Sequence, residues 1–174
     1  RRAQIIELLS LAEEPVSGAA LARKLGIGMS AIQHAVSELG YVEHRLEMKL
    51  HRDMVLIDDA FNANPEGAAA ACDVLAQMPG WRILVTPGMI DLGEQQEQFN
   101  RCLGTHAAGC ADEVILVGGK QVQPLRQGLL EGGFDEDRIG QVMTMQEAFA
   151  CFEQSPHADK VVLIENDVPD VLNR

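Results

Sequence analysis

Short apolar runs alternate with longer amphipathic segments along residues 53–174. The runs are rich in Val, Ile and Leu and do not alternate with polar residues, which is typical of strands that helices cover on both faces. They predict core strands at residues 54–57, 82–86, 113–117, 141–143 and 160–164. Residues 46–50 are predicted to add an antiparallel edge strand through a hairpin at Arg52-Asp53.

The segments between the core strands repeat their apolar residues with the period of a helix. They predict helices at residues 65–77, 95–108, 122–131 and 145–154. A regular order of strand and helix predicts a parallel, doubly wound sheet. The expected fold class is therefore α/β, with a mostly parallel sheet and helices on both faces.

Residues 1–43 have a different pattern and predict a small helical segment of three short helices, which precedes the α/β domain at residues 44–174. Its stretch "EEPVSGAALARKLGIGMSAIQHAVSELG" also has the spacing of a winged helix-turn-helix. The second helix of that motif, residues 29–39, contains no Lys or Arg, whereas a helix that reads DNA brings donors to bases and phosphates. A helix-turn-helix regulator with an α/β effector-binding domain stays open as an alternative.

The charge of the chain is unevenly distributed. The formal net charge is −12, and residues 53–174 hold seven Lys/Arg against twenty Asp/Glu. Such an acidic domain is not expected to bind nucleic acid, because phosphate contacts need clustered positive charge. No apolar run reaches the roughly 20 residues that cross a bilayer and no signal-peptide pattern is present, so we expect a cytoplasmic location. The start at Arg1-Arg2, without Met, suggests a piece of a longer chain.

The cysteines form no CxxC pair, so the sequence predicts neither a metal site nor a disulfide framework. They are expected to be buried, reduced thiols. The four positions are Cys72, Cys102, Cys110 and Cys151.

Polar clusters follow the predicted strands at residues 58–59, 86–94, 118–120 and 165–170. Ligands of doubly wound sheets bind at the carboxyl ends of the strands. Asp58 and Asp59 repel each other and need donors or cations nearby, and an acidic residue at a strand end is suited to accept ribose hydroxyls. Asn64-Pro65 predicts a helix start, in which the Asn64 side chain caps free N–H groups.

Arg45 precedes the predicted hairpin, at the junction of the two parts. Its guanidinium could bind phosphate oxygens with a planar fork of donors. The alternative is a surface ion pair with Glu43 or Glu47.

Four segments in order carry a family resemblance: "HRLE", "DDAFNANP", "PGMIDLGE" and "ADEVILVGGK". Together they resemble the C-terminal domain of the Mur ligases, ATP-dependent amide-bond-forming enzymes of peptidoglycan synthesis, over about residues 19–170. Within the family they are most similar to the branch that adds D-alanyl-D-alanine to a UDP-MurNAc-tripeptide. The resemblance implies a Rossmann-like domain, and it identifies residues 1–43 as the tail of a preceding central domain.

The resemblance also implies a nucleotide site. Arg45 matches the hinge arginine that contacts the ATP phosphates and acts in catalysis, and Asp59 matches the aspartate that binds the ribose. Asn62 and Asn64 belong to the motif that lines the nucleotide cleft.

The segment that contains Met89, Asp91 and Glu94 lies where the family positions its incoming amino acid or dipeptide. One departure affects that substrate: the branch usually carries a Lys-Gly-Ser-Arg type segment after the last strand, and this chain has Glu165-Asn166-Asp167. The "TPGM" stretch also replaces a more usual Gly-Asp-Met. The identity of the amine is therefore open.

A phosphate-binding GxxxxGK[ST] loop does not occur in the sequence, since Lys120 in "GGKQ" is followed by Gln. By resemblance, the groups that bind the ATP triphosphate and Mg²⁺ lie in an upstream ATPase domain of the same chain. The expected partners are a UDP-MurNAc-peptide and an amino acid or dipeptide. This fragment alone is expected to be inactive.

Overall fold

The computed structural model describes residues 23–26, 28, 30, 46–60 and 64–166. The chain divides into two compact units, Arg1–Val42 and Glu43–Arg174. In the first unit, residues 23–25 are helical and Gly26 has a φ of +64°, as expected for a helix that breaks at this glycine. The other predicted helices of this unit lie outside the described residues.

The second unit is built on one six-stranded sheet with the order β1-β2-β6-β3-β4-β5. The hairpin strands β1 and β2 pair antiparallel, and all other pairs are parallel, which confirms the predicted fold class and the edge hairpin. The strands are β1 (Glu47–His51), β2 (Met54–Asp59), β3 (Trp81–Thr86), β4 (Glu113–Val117), β5 (Ile139–Val142) and β6 (Lys160–Glu165).

The four predicted helices are also present, and three short 3₁₀ turns (Gly93–Gln95, Lys120–Val122 and Glu136–Arg138) accompany them. In the described residues, no helix is long and apolar enough to span a membrane. The helices are α1 (Pro65–Ala76), α2 (Gln96–Ala107), α3 (Gln123–Glu131) and α4 (Met145–Gln154).

The helices divide three to one between the faces of the sheet. One buried cluster joins residues of α1, α2 and α3 to the sheet, and a second joins residues of α4 to the opposite face. The chain moves in one direction from β2 through β3 and β4 to β5, and then returns to β6. Since crossovers between parallel strands are right-handed, the forward connections place their helices on one face and the return places α4 on the other.

Alternate residues of the central strands supply the two clusters. Leu84 and Leu163 face the three-helix side, while Ile83 and Val162 face α4. Helices α2 and α3 approach closely at Gly104, where a side chain would not fit. A Cβ on Gly104 would lie 2.1 Å from the Leu125 carbonyl oxygen. Glycine is therefore needed at that contact.

Side chains determine where α1 and α4 begin and end. The Asn64 Oδ1 accepts a bond from the Gly67 N–H at 2.8 Å, which confirms the predicted cap of α1. Thr144 begins α4 with a capping box. At the other end of α4, the Lys160 Nζ donates to the carbonyl oxygens of Phe152 and Ser155, both at 3.0 Å. Lys160 is 4% exposed, so its ammonium group is buried and binds the last carbonyl oxygens of α4 inside the protein.

We expect Lys160→Met to lower the free energy of unfolding by about 2–3 kcal/mol, because it leaves buried carbonyl groups without a donor. Urea unfolding followed by circular dichroism measures the change. Lys120→Met is the matched control, since Lys120 is exposed and its replacement should cost less than about 0.5 kcal/mol. Equal losses in the two variants would contradict this role of Lys160.

Candidate functional site

Three neighbouring strands end in polar side chains at the carboxyl edge of the sheet. The register pairs Asp59 of β2 with Glu165 of β6. On the other side of β6, Val85 of β3 pairs with Ile164, which places the next residue, Thr86, beside Glu165. Because side chains alternate along a strand, all three lie on the face that α1, α2 and α3 cover. We call Asp59, Glu165 and Thr86 the carboxyl-edge row.

Glu165 lies in the middle of the carboxyl-edge row and is 1% exposed. The Thr86 hydroxyl donates to its Oε2 at 2.9 Å, and the Gly88 N–H donates to that hydroxyl at 2.9 Å. The Oε1 atom is buried and has no hydrogen-bond partner among the residues that the structure describes. One oxygen of this carboxyl is therefore fixed, and the other is a buried polar atom that remains to be satisfied.

Burial raises the pKa of Glu165 from its ordinary value of 4.5 to about 7. The hydrogen bond from Thr86 opposes the rise, and the negative charge of Asp59 adds to it. Removal from water disfavours the charged form, which is the larger effect here. Glu165 can therefore exchange a proton near neutral pH, as groups in functional sites often do.

The adjacent carboxylates Asp58 and Asp59 lie on opposite faces of the sheet. Asp58 is bound by the Lys49 Nζ at 2.9 Å on the face of α4. The Asp59 Oδ1 accepts a bond from the Leu46 N–H at 3.1 Å. The strand pleat thus separates the two charges, and only Asp59 belongs to the carboxyl-edge row.

Asn166 connects the ends of these strands. Its backbone N–H donates to the Asp59 carbonyl oxygen at 3.1 Å, and its Nδ2 donates to the Gly88 carbonyl oxygen at 2.9 Å. Its φ of +62° is a left-handed conformation that asparagine tolerates better than most residues. The sequence analysis placed Thr86, Glu165 and Asn166 in the polar clusters at strand ends but gave none of them a role in a site.

The loop after β3 is held by Asn100, which is 1% exposed. The Asn100 Oδ1 accepts from the Met89 N–H, and its Nδ2 donates to the Met89 carbonyl oxygen, both at 2.8 Å. Gly88 has a φ of +77°, and a Cβ there would lie 2.5 Å from the Asn100 Oδ1. A polar residue on the apolar stripe of α2 was the sequence signal for this contact.

The residues predicted to contact the amine substrate occupy different surroundings. The Met89 side chain is 1% exposed and belongs to the three-helix core, and its backbone N–H and carbonyl oxygen are both bonded to Asn100, so it supports the loop from inside. Asp91 is exposed with a φ of +62°. Glu94 lines an open groove of about 780 Å³ between α2 and α3, whose lining does not include Asp59, Glu165 or Thr86.

The residues predicted to bind nucleotide are only partly described. Asp59 lies in the carboxyl-edge row, and Asn64 caps α1 just after the loop that follows β2. Arg45 and Asn62 lie outside the described residues. The roles of all four in binding nucleotide remain predictions.

The raised pKa of Glu165 predicts a pH dependence of stability. Between pH 4.5 and about 7 the folded protein retains a proton that the unfolded chain releases, so the free energy of unfolding falls as pH rises through this window. The loss amounts to about 3 kcal/mol at most. We expect Glu165→Gln to remove this fall and to be more stable than the unaltered chain near pH 8.

Urea unfolding at several pH values from about 5 to 8 measures this difference. Glu97→Gln, which changes an exposed carboxylate on α2, should leave the pH dependence unchanged. Parallel stability curves for Glu165→Gln and the unaltered chain would rule out the buried, protonated carboxyl.

Asn100→Asp should loosen the loop after β3. It keeps the size of the side chain but replaces the donor to Met89 and Gln96 carbonyl oxygens by an acceptor. We expect a loss of about 2–3 kcal/mol and faster hydrogen exchange at residues 88–93. Gln98→Glu makes the same chemical change at an exposed position of α2 and is the control. Unchanged exchange in Asn100→Asp would contradict the assignment.

Comparison with known proteins places this site in a family. A family model described as "Mur ligase, glutamate ligase domain" matches residues 44–167. The UDP-N-acetylmuramoyl-tripeptide--D-alanyl-D-alanine ligase of Escherichia coli (strain K12) is 36% identical over 107 residues, which cover 61% of this chain and 24% of that protein.

Solved structures show the same fold. MurF from Acinetobacter baumannii superposes with a TM-score of 0.67 at 23% identity, covering 85% of this chain and 32% of that one. The MurF ligase from Thermotoga maritima in complex with ADP has a TM-score of 0.67 at 19% identity, covering 84% of this chain and 32% of that one. This chain thus spans about a quarter to a third of the relatives. Since the family model covers more than half of its residues, the chain belongs to the Mur ligase family, by its glutamate ligase domain.

Proposed function

We propose that this chain is the C-terminal domain of an ATP-dependent, ADP-forming ligase that attaches an amino acid or dipeptide to a UDP-MurNAc-peptide. The observation that carries the proposal is the carboxyl-edge row in a domain of this family. Doubly wound sheets bind their ligands at that edge, and the row supplies two carboxyl groups and a hydroxyl there.

Asp59 is proposed to bind the ribose of the nucleotide. Its bond with the Leu46 N–H orients the carboxylate, and an ionised carboxylate only accepts hydrogen bonds, which suits it to the hydroxyl donors of a ribose. Glu165 beside it is held uncharged below a pH of about 7 by its raised pKa, which limits the repulsion between the two groups. The MurF ligase from Thermotoga maritima was solved with ADP, which supports nucleotide binding in this family.

The described residues suit the ribose end of ATP better than its triphosphate end. Within the described part of the chain, the one group of three potential metal ligands does not include a residue of the carboxyl-edge row. We therefore place the Mg²⁺ ligands and the phosphate-binding loop in an upstream ATPase domain, with Arg45 reaching the phosphates from the start of this domain. The domain contributes by closing over the bound nucleotide, with a hinge at residues 40–45.

In the proposed reaction, a substrate carboxylate takes the terminal phosphate of ATP to form an acyl phosphate. The nitrogen of the amine then bonds to the carbonyl carbon, the bond from that carbon to the phosphate oxygen breaks, and the amine proton passes to solvent or to a base. Arg45 offsets the charge of the phosphate group, and Asp59 orients the nucleotide. Both act by positioning and electrostatics.

The amine substrate is proposed to be D-alanyl-D-alanine, because the Escherichia coli relative carries that name. Met89, Asp91 and Glu94 are the residues proposed to lie near it, Met89 by supporting the loop from the core. Glu165-Asn166-Asp167 replaces the cationic segment usual in that branch, so a different amine is the main alternative within the family. A cytoplasmic location remains a prediction that fits such substrates.

The helix-turn-helix alternative rests on residues 13–40, most of which lie outside the described residues. The family match begins at residue 44 and gives that alternative no support. No observation in the described part of the chain favours it.

Phosphate release from ATP tests the proposal. The full-length protein is supplied with UDP-MurNAc-tripeptide and D-alanyl-D-alanine, and Arg45→Ala and Asp59→Ala are each expected to lower the rate at least about 10- to 100-fold, since each removes a positioning contact. Asp53→Ala is the control, because Asp53 is exposed in the turn of the same hairpin.

Release that depends on the dipeptide and falls in both variants supports the proposal in full. Release that depends on another amine keeps the ligase and replaces the dipeptide. No release with any amine, from a folded full-length protein, would overturn the ligase assignment.

A further inference from the structure

Asp73, His106 and Cys110 bring a carboxylate, an imidazole and a thiol together at the far ends of α1 and α2. The His106 Nε2 lies 2.8 Å from the Asp73 Oδ1, and one ligand atom of each residue lies within 4.8 Å of the other two. These helices run back from the carboxyl edge of the sheet, so the cluster lies remote from the carboxyl-edge row.

The local backbone explains why these three residues meet. His106 is in the last turn of α2, and Cys110 follows four residues later, which is the spacing that places two side chains on one side of a helix. The turn is fixed by bonds from the Cys110 N–H to the Ala107 carbonyl oxygen at 2.9 Å and from the Cys110 thiol to the His106 carbonyl oxygen at 3.4 Å. Asp73 comes from the neighbouring helix α1. Because it lies 33 residues before His106, no sequence spacing revealed the set.

We propose that Asp73, His106 and Cys110 form a binding site for Zn²⁺, with the fourth coordination position open to solvent. A carboxylate, an imidazole and a thiolate are ligands that Zn²⁺ accepts in tetrahedral sites, whereas Mg²⁺ and Ca²⁺ prefer oxygen alone. The Asp73 and His106 side chains are 60% and 41% exposed, so water can reach the fourth position.

Small movements suffice to complete the coordination. Metal–ligand bonds of about 2.0–2.3 Å place tetrahedral ligand atoms about 3–4 Å apart. The Asp73 and His106 atoms must therefore separate slightly, and exposed side chains can do so. The Cys110 sulfur is buried and held by the turn, so the two exposed side chains would make most of the movement.

Zinc binding must release a proton from this site. Burial and the negative charge of Asp73 raise the pKa of the Cys110 thiol, and Arg82 opposes the rise. Without metal the group is therefore a thiol near neutral pH. On binding, the sulfur–hydrogen bond breaks, the sulfur bonds to Zn²⁺ and the proton goes to solvent. We therefore expect binding to strengthen as pH rises.

Titration of the reduced 174-residue chain with Zn²⁺ against a chromophoric chelator tests the site, and Co²⁺ serves as a spectroscopic probe. We expect one equivalent to bind, with the thiolate-to-Co²⁺ absorption band that marks a sulfur ligand. Cys110→Ser should abolish the band, and His106→Gln and Asp73→Asn should each weaken binding at least about tenfold. The last two changes are at exposed positions, so folding is not at risk.

Cys102→Ser is the matched control, because Cys102 is an exposed cysteine on the same helix. It should leave the stoichiometry and the band unchanged. A band that survives Cys110→Ser or disappears in Cys102→Ser would overturn the proposal. So would an affinity that His106→Gln and Asp73→Asn leave unchanged, since the cluster would then be an ion pair beside a buried thiol.

Discussion

Insertion of β6 between β2 and β3 is the constraint on which the rest of the domain depends. Every residue of this strand is buried, including the charged residue types at its two ends, Lys160 and Glu165. At one end, Lys160 satisfies the last carbonyls of α4, and at the other, Glu165 stands between Asp59 and Thr86. A single strand thus holds the end of α4 and supplies the middle residue of the carboxyl-edge row.

The carboxyl edge also shows how the fold distributes negative charge. Asp58 and Asp59 are adjacent in the sequence, and the strand pleat places them on opposite faces of the sheet. On its own face, Asp58 is neutralised by Lys49. Adjacent carboxyl groups across strands, Asp59 and Glu165, cannot be separated in this way. Burial instead raises the pKa of Glu165 to about 7, at a cost to stability that grows as pH rises. A buried carboxyl that lowers stability in this way is more readily explained by a role in ligand binding than by a role in folding.

The fold could be predicted from the sequence because each strand and helix shows its own burial pattern within a short stretch of chain. Strands appear as uninterrupted apolar runs, and helices repeat their apolar residues with the helical period. All core strands and helices were predicted, with errors only at the ends: β5 begins at Ile139, where pairing with Val114 extends it. The site was predicted in part. Asp59 was singled out because it follows the predicted apolar run, whereas Glu165 and Thr86 were placed only in polar clusters at strand ends, since their meeting depends on strand order. The proposed zinc ligands were missed because Asp73 belongs to α1, whereas His106 and Cys110 lie at the end of α2.

The central position of a late strand has a consequence for biosynthesis. While the ribosome makes residues 54–159, the hairpin β1–β2 and the group β3–β4–β5 have no strand to join them, and each exposes an apolar edge. The two pieces can become one sheet only after residues 160–165 emerge. Among the described strands, this sheet therefore cannot be completed progressively from the amino terminus, and its two parts stay separate until β6 has been made.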